Sequence, residues 1–370
     1  MQPEPAEPAS APVTAPAQPP SRPTLADVAA HAGVSASTAS LAFSGSGPVS
    51  DATKQRVFDA AAALGYGGPD PRARSLRRGR SGIVGVVLEE RVRTAFLDPV
   101  KIQMLDGIAE GIAPLSAGLL LLTDSGGAGG AGEHAVSIES APVDAVVLVG
   151  CSPRLAESVE VLRRRGIPAV AIEGAADDGV PEISIDNLPA TRRGAEYLRE
   201  LGHTRVAIVT LPVDAARTRG PLTPELERDC AVGVTSERLA GARTVFPEAP
   251  AQVAGASSIE EGRDAALALL ADPSARPTAI IAQSDLLAAG VILAAEELGI
   301  AVPAELSVVG FDGIRVDGLQ HDLTTLVQPS VAKGRAAGEA VVSLLAGEQP
   351  DSVCFTSTLH VGDTTAAPPR

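Results

Sequence analysis

The sequence predicts a small α-helical head joined to a larger α/β body of two doubly wound parallel-sheet subdomains, and three observations predict it. Residues 24–44 spell two short helices around a glycine turn. Residues 69–80 are an arginine-rich joint between that region and the rest of the chain. From Ser81 onward, short apolar runs alternate with helical stretches in two successive series of similar length, the pattern of two βα-built sheets. At 370 residues the chain can hold both parts, each with its own core.

Residues 1–20 are rich in proline and alanine, carry Glu4 and Glu7, and lack both a basic start and an unbroken apolar core. They read as a disordered tail and not as a signal peptide, and no later apolar run is long enough to span a bilayer. The head occupies residues 21–68. Thr24 caps the first helix, with Asp27 completing a capping box, and Val28, Ala29 and Ala32 recur at helical spacing. Gly33 supplies the left-handed residue that ends the helix, and Ser35 caps the next one. That second helix is built almost wholly of small residues, so it can approach a groove floor closely. A helix-turn-helix of this kind lays its second helix in the major groove of DNA. The same residues taken alone fit a helical hairpin inside a core equally well.

Residues 50–80 separate the two readings. Ser50 caps a third helix with Val57, Phe58, Ala61 and Leu64 on its apolar face and Lys54 and Arg56 outside, and Gly65 and Gly67 stop it. Then come Asp70, an N-cap, Pro71, suited to the first helical position, and Gly79, suited to the C-cap. Between them a helix of about two turns would carry Arg72, Arg74, Arg77 and Arg78, with Arg80 just beyond, and one exposed leucine, Leu76. So short and charged a helix forms only against a polyanion.

The body comes next in order. Apolar runs at 83–88, 119–122, 145–149 and 169–172 are read as parallel strands, with helices at 99–113, 134–140 and 154–165 between them. A second series of strands is read at 182–185, 206–210, 252–254, 279–282 and 306–309. Residues 211–232, rich in proline, arginine and aspartate, exceed a simple βα loop and are read as a surface insertion placed to cover a cleft.

Net charge is -15, which by itself argues against nucleic acid. Its distribution reverses that. Residues 21–80 hold Arg22, Lys54, Arg56, Arg72, Arg74, Arg77, Arg78 and Arg80 against Asp27, Asp51, Asp59 and Asp70, while the remainder is acidic. Only one end is suited to a polyanion. Cys151, Cys230 and Cys354 are odd in number, far apart and without metal spacing, which fits a reducing cytosol. A cytoplasmic location follows as an expectation, with no membrane partner, no cofactor and no metal.

Helix-turn-helix, third helix and the linker Ala73-Arg74-Ser75-Leu76, in that order, resemble the lactose-repressor family of bacterial transcription regulators. The resemblance runs from Thr24 to about Val361. It implies a non-enzymatic, sequence-specific regulator, a repressor whose operator affinity is modulated by a small molecule. It also implies a body similar to periplasmic sugar-binding proteins, with the chain crossing between lobes near Pro181, Gln328 and Pro350. The subdomains are then residues 81–181 with 329–349, and 182–327 with 350–370. Two chains would pair along their bodies and present two heads to a pseudo-palindromic double-stranded operator. The tail after Val361 lacks leucine heptads, so a homodimer is the expected assembly.

Carried over residue by residue, the resemblance places Thr24, Ser35, Ala36, Ser37, Thr38 and Leu41 at the DNA, and Arg72, Ala73, Arg74, Leu76 and Arg77 in a hinge helix. Leu76 matches the leucine that pries apart the central base pairs from the minor groove. Ala36, Ser37 and Leu41 depart from the family pattern, since none can make a bidentate contact to guanine. Readout would lean on Ser37, on methyl contacts from Ala36 or Leu41, and on DNA shape. For the effector the resemblance implies Arg238, in Ser236-Glu237-Arg238-Leu239-Ala240-Gly241, and Asp312, ending Val308-Val309-Gly310-Phe311-Asp312. Ser284 and Asp285 lie at a strand end entering a helix, with Ser284 replacing the family's asparagine. Glu173, Gln328 and Phe96, the last as a ring-stacking residue, complete the effector set, while Asp186-Asn187 matches a structural strand-to-helix turn. The effector is expected to be small and polar, a sugar or another metabolite.

Two other classes compete. A nucleotide-using enzyme would place phosphates on the glycine run 126–132, but that run lacks the Lys-Ser/Thr of a phosphate loop. His31, His134, His203, His321 and His360 show no ligand spacing, and no nucleophile elbow is present. A cytosolic solute-binding protein would not need the arginine linker.

Overall fold

In a computed structural model of the chain, residues 23–45, 47–68, 79–88, 92–123, 137–150, 155–174 and 179–369 are described. The described chain divides into two units, one ending at Gly79 and one beginning at Arg80. The tail at 1–20, the hinge helix with Arg72, Ala73, Arg74, Leu76 and Arg77, the glycine run 126–132, Cys151 and His134 lie outside the described residues.

The head unit contains α1 (Leu25–Ala32), α2 (Ala36–Ser44) and α3 (Asp51–Leu64). Its caps follow the chemistry of the sequence. Thr24 N–H donates to Asp27 Oδ2 at 2.8 Å while Asp27 N–H donates back to Thr24 Oγ1 at 3.3 Å. The hydrogen bonds from Thr24 hold the Asp27 carboxyl below its ordinary pKa. Gly33 takes φ 64°, where a side chain would be strained, and its N–H returns to the carbonyls of α1. Val28, Ala39 and Val57 meet at the centre with no exposed surface. Phe58 corrects the expected apolar face. It is 42% exposed, its ring meets that of Phe43 edge-on at 5.4 Å between ring centres, and Ala60 takes the buried position instead.

The body holds two sheets. The first contains β1 (Ile83–Leu88), β2 (Gly118–Thr123), β3 (Ala145–Val149), β4 (Ala169–Ile172), β5 (Glu182–Ile185) and β12 (Val353–Phe355), in the order β12-β5-β4-β3-β1-β2. Every pairing in it is parallel. β3 and β4 are buried at every position, as a sheet covered on both faces requires. Flanking this sheet are α4 (Val92–Ala95), α5 (Pro99–Gly111), a 3-10 turn (Ala113–Leu115), α6 (Leu155–Arg165) and, much later in the chain, α12 (Ser330–Ala346). The expected helix at 134–140 is a turn over its described part, 137–140.

The second sheet contains β6 (Val206–Thr210), β7 (Gly220–Pro221), β8 (Ala251–Val253), β9 (Ala279–Ala282), β10 (Ser307–Asp312), β11 (Thr324–Val327) and β13 (Thr358–His360), in the order β13-β11-β10-β9-β6-β8-β7. Its helices are α7 (Asn187–Glu200), α8 (Pro224–Arg228), α9 (Gly233–Arg243), α10 (Ile259–Leu270) and α11 (Asp285–Glu297).

Two further expectations are revised by the structure. The strand Glu182–Ile185 belongs to the first sheet, because it pairs with β4 (Ala171↔Glu182) and with β12 (Val353↔Ile183). The first crossing therefore follows Ile185 instead of falling near Pro181, and the third follows Phe355 instead of falling near Pro350, while the second lies at Gln328. The insertion 211–232 is more than a surface loop: its β7 adds an antiparallel strand beyond β8, at the sheet edge remote from β10 and β11. Arg219 holds it there with a forked pair to Glu261, at 2.9 and 2.6 Å.

α5 and α12 pack backbone to backbone. A Cβ on Gly107 would sit 2.1 Å from the Val331 carbonyl oxygen, and one on Gly334 2.1 Å from that of Met104. Only glycine permits that approach.

Candidate functional sites

α2 presents one solvent face. Ala39 and Ala42 point into the head, while Ala36, Ser37, Leu41 and Ser44 are exposed and Ser40 is half-buried. The Ser35 hydroxyl accepts from Thr38 N–H at 3.1 Å and lies 2.8 Å from the hydroxyls of both Ser37 and Thr38. Ser37 and Thr38 are thereby oriented by the cap, with Ser37 outward. Leu41 is 37% exposed, on the outer face and against Gly47, whose added Cβ would lie 2.9 Å from a Leu41 methyl. No side chain on this helix is charged.

In the body, Glu173, Arg238, Asp312 and Gln328 come together from four chain segments, and two residues not singled out from sequence as effector contacts complete their circle. Arg238 stacks over the Phe311 ring, 3.5 Å from its centre. Its Nε donates to Asn187 Oδ1 at 2.8 Å, its Nη1 donates to the Gln283 carbonyl at 2.5 Å, and Asp312 Oδ1 lies 3.8 Å from that Nη1. Gln328 Nε2 donates to Asp312 Oδ1 at 2.6 Å. Lys333 Nζ then donates to Gln328 Oε1 at 2.5 Å and to Glu173 Oε1 at 2.6 Å. Asn187 Nδ2 donates to Glu173 Oε2 at 3.2 Å and closes the ring.

The circle joins the two lobes. Glu173, after β4, and Lys333, on α12, belong to the first. Asp312 ends β10, Arg238 is on α9 and Asn187 opens α7, all in the second. Gln328 sits at the crossing between them. Arg238, Asp312, Gln328 and Lys333 are all buried. Two backbone positions in it are strained: Glu173 at φ 57° and Asp312 at φ 124°. Non-glycine residues held there mark sites where the surrounding structure imposes geometry on a side chain.

Electrostatics follow from burial. Desolvation raises Asp312 to about 7 against the opposing charge of Arg238, with nearby Asp98 adding to the rise. Burial also raises Glu182, reinforced by Glu173 and Glu237. Asp285 is pushed well above the carboxylate range, by burial first and then by Asp312.

Asp285 itself is a correction to the expected effector set. Its Oδ1 accepts from Thr325 Oγ1 at 2.6 Å and its Oδ2 from Ile314 N–H at 2.8 Å, so the carboxyl ties β11 and the loop after β10 to α11. Gly310 leaves the room, since a Cβ there would lie 2.2 Å from Asp285 Oδ1. Ser284 also has structural work: it caps α11 by accepting from Leu287 N–H and lies 2.8 Å from Ser257 Oγ. Phe96 is 49% exposed between α4 and α5 and is not joined to the ring. Asn187 does more than turn the chain. Asp186 performs that task, accepting from Ser357 N–H and Arg193. Lys333 had a signal in the sequence: it lies four residues before Ala337 and seven before Ala340, on the helix face both bury. Among the described residues no cluster of histidine, cysteine or carboxylate side chains could hold a metal ion, and no helix is long and apolar enough to cross a membrane.

Similarity to known proteins divides the chain in the same way. Residues 24–68 match the family described as bacterial regulatory proteins, lacI family, and residues 195–365 match the periplasmic binding protein-like domain. The chain is 32% identical over 352 residues to the HTH-type transcriptional regulator IpsA of Corynebacterium glutamicum, covering 93% of this chain and 97% of that protein. It is 29% identical over 333 residues to the HTH-type transcriptional repressor CytR of Escherichia coli, covering 89% and 92%. Its fold matches the lac repressor dimer bound to operator and the anti-inducer ONPF with a TM-score of 0.75, at 22% identity, over 94% of this chain and 100% of that one.

Proposed function

The chain belongs to the lacI family of bacterial regulatory proteins, a DNA-binding transcriptional regulator with an effector-binding body, and from that premise we propose how its own residues serve the two tasks. The effector site is the circle Arg238, Asp312, Gln328, Lys333, Glu173 and Asn187. One observation carries this: those six side chains bond one another across both lobes. A ligand that replaces the bonds running between the lobes, Asn187 to Glu173 or those made by Gln328 at the crossing, changes what holds the lobes together. Each cation already has a carboxylate, Lys333 with Glu173 at 2.6 Å and Arg238 with Asp312 at 3.8 Å. A charged effector would leave one of them unmatched in a buried site, at a cost of several kcal/mol. Vicinal hydroxyls suit the site better, since they accept from Arg238 and donate to Asp312.

Equilibrium dialysis of the full chain against a cell extract, followed by mass spectrometry of what is retained, identifies the effector. With that compound in hand, Asp312→Ala and Arg238→Ala should each still bind operator but lose the effector's influence on it. A ligand shifts the lobe equilibrium only through contacts that differ between its states. Full response in both variants would place the effector elsewhere.

At the other end, a homodimer presents two α2 helices and two arginine linkers to one pseudo-palindromic site. The linker supplies the phosphate contacts. Arg74→Ala or Arg77→Ala should weaken binding to all duplexes alike and flatten the slope of log affinity against log salt by roughly one unit each. A titration from low to high salt with an unchanged slope would show that neither side chain meets phosphate.

A further inference from the structure

α12 runs from the effector circle to the root of the arginine linker, and both its ends are engaged. At its N-terminal end Lys333 is 2% exposed and bonded to Glu173 and Gln328. Beside it the Ser330 hydroxyl is buried with no hydrogen-bond partner among the described residues, and this helix end has no side-chain cap. At the far end Gly347, at φ 86°, closes the helix by returning its N–H to the Leu344 and Ser343 carbonyls, and Glu348 N–H also goes to Ser343. That pattern passes over the Leu345 carbonyl, which lies at the negative end of the helix dipole. Arg80 fills the gap, its Nη2 donating to Leu345 O at 2.7 Å.

Arg80 is both the first residue of the body unit and the last arginine of the linker. The two residues after it are pinned separately. Ser81 N–H and Gly82 N–H donate to the two oxygens of Asp144, at 2.6 and 2.7 Å. Chain entering β1 is thus anchored once to the first sheet and once to α12. Between its ends α12 is a stiff element of 17 residues, about 25 Å long. Gly334 and Gly338 seat it directly on the backbone of α5 at Gly107 and Gly111. An element held backbone to backbone passes on a displacement instead of absorbing it in side-chain rearrangement.

We propose that Arg80 is a positioning residue for the linker: through its bond to the end of α12 it reports the state of Lys333 in the effector circle to the DNA-binding end of the chain. This rests on the reading of the chain as an effector-modulated DNA binder. The two states are Lys333 bonded to Glu173 and Gln328, and Lys333 drawn away when a hydroxyl compound occupies the circle. Both must differ in where the last turn of α12 holds Arg80.

The test is a double-mutant cycle on the full chain without effector, using an operator selected from random duplexes and affinity read by fluorescence anisotropy. Lys333→Met should change operator affinity about fivefold or more in the parent and less than about twofold in an Arg80→Gln background. The charge lost at Arg80 is common to both arms and cancels. Glu173→Gln, which loosens Lys333 without altering α12, should show the same dependence on Arg80. Arg80→Lys keeps a donor for the Leu345 carbonyl and should restore the coupling. Additive effects, or no effect of Lys333→Met and Glu173→Gln in the parent, would overturn the inference while leaving DNA binding intact. Failure of the unsubstituted chain to select any duplex would overturn the DNA-binding reading, and this inference with it.

Discussion

Asp312→Asn is expected to stabilise the body at pH 8 and to remove most of its loss of stability with rising pH. An aspartate in an unfolded chain titrates near 4, whereas burial raises Asp312 to about 7. The folded state therefore binds this proton more tightly than the unfolded state does. Stability is unaffected below about pH 4, falls as pH rises from about 4 through 7, and is level above that. The full loss is about 4 kcal/mol by the linkage relation, and an asparagine, which never ionises, escapes it. The groups facing Asp312 set the balance. Burial raises it most, Arg238 opposes the rise, Asp98 adds to it, and the Gln328 hydrogen bond and Lys333 again oppose it. Urea denaturation at pH 5 and pH 8 measures the effect in parent and variant. Equal pH slopes would mean that the proton resides elsewhere, Asp285 being the neighbour also raised by burial. Effector affinity should run the opposite way in the parent: hydroxyls donate more strongly to a carboxylate, so binding tightens from pH 6 to pH 8.

That behaviour involves residues whose visibility in the sequence was uneven. Local chemistry was the most legible. Thr24, Ser35 and Ser50 cap the helices they precede, and Gly33 takes its left-handed turn, because each is governed by neighbours within four residues. Apolar runs located the strands for the same reason. Which sheet a strand joins is another matter. Glu182–Ile185 reads as a strand in either lobe, and its place in the first sheet rests on pairing with β4 and with β12, the latter about 170 residues away. Residues 211–232 likewise read as extra chain, and only pairing with β8 shows that they extend a sheet edge.

Within the proposed effector circle, the residues at strand ends and Arg238 within α9 were readable, whereas Asn187 and Lys333, near helix starts, were not. Arg238 and Asp312 stood in recognisable segments. Lys333 sits in Val331-Ala332-Lys333-Gly334-Arg335, where a lysine beside an arginine looks like a solvated face. The distinction lay in periodicity, since Arg335 reaches the surface to pair with Glu110 whereas Lys333 shares the face of Ala337. Asp285 misled for the converse reason. A carboxylate at a strand end entering a helix is well placed for a ligand, but its partners here, Thr325 and Ile314, are distant in sequence and consume it.

Leu76→Ala is expected to weaken specific operator binding by about 1–3 kcal/mol while leaving salt-dependent binding to random duplex nearly intact. The head explains why so much rests on one side chain. Residues 23–68 carry Lys54 and Arg56 against Asp27, Asp51 and Asp59, and Lys54 is already paired with Asp51 at 3.3 Å. The outward face of α2 offers Ala36, Ser37, Leu41 and Ser44, with no fork of donors for guanine and no amide for adenine. Neither phosphate neutralisation nor direct readout is generously supplied by the head, so specificity has to draw on deformation of the duplex. Leu76 is the only large aliphatic side chain in residues 69–80, set among arginines that can hold phosphates on either side of a step it opens. An apolar wedge of this kind unstacks a base step from the minor groove, and the resulting bend brings more protein surface into contact. Removing the wedge should therefore lower affinity and bend angle together, whereas removing an arginine should lower affinity alone. Operator titration combined with a bend-angle measurement by fluorescence energy transfer distinguishes these outcomes. A variant that keeps both the parent's affinity and its bend would show that Leu76 never enters the duplex, and specificity would then have to come from the small side chains of α2.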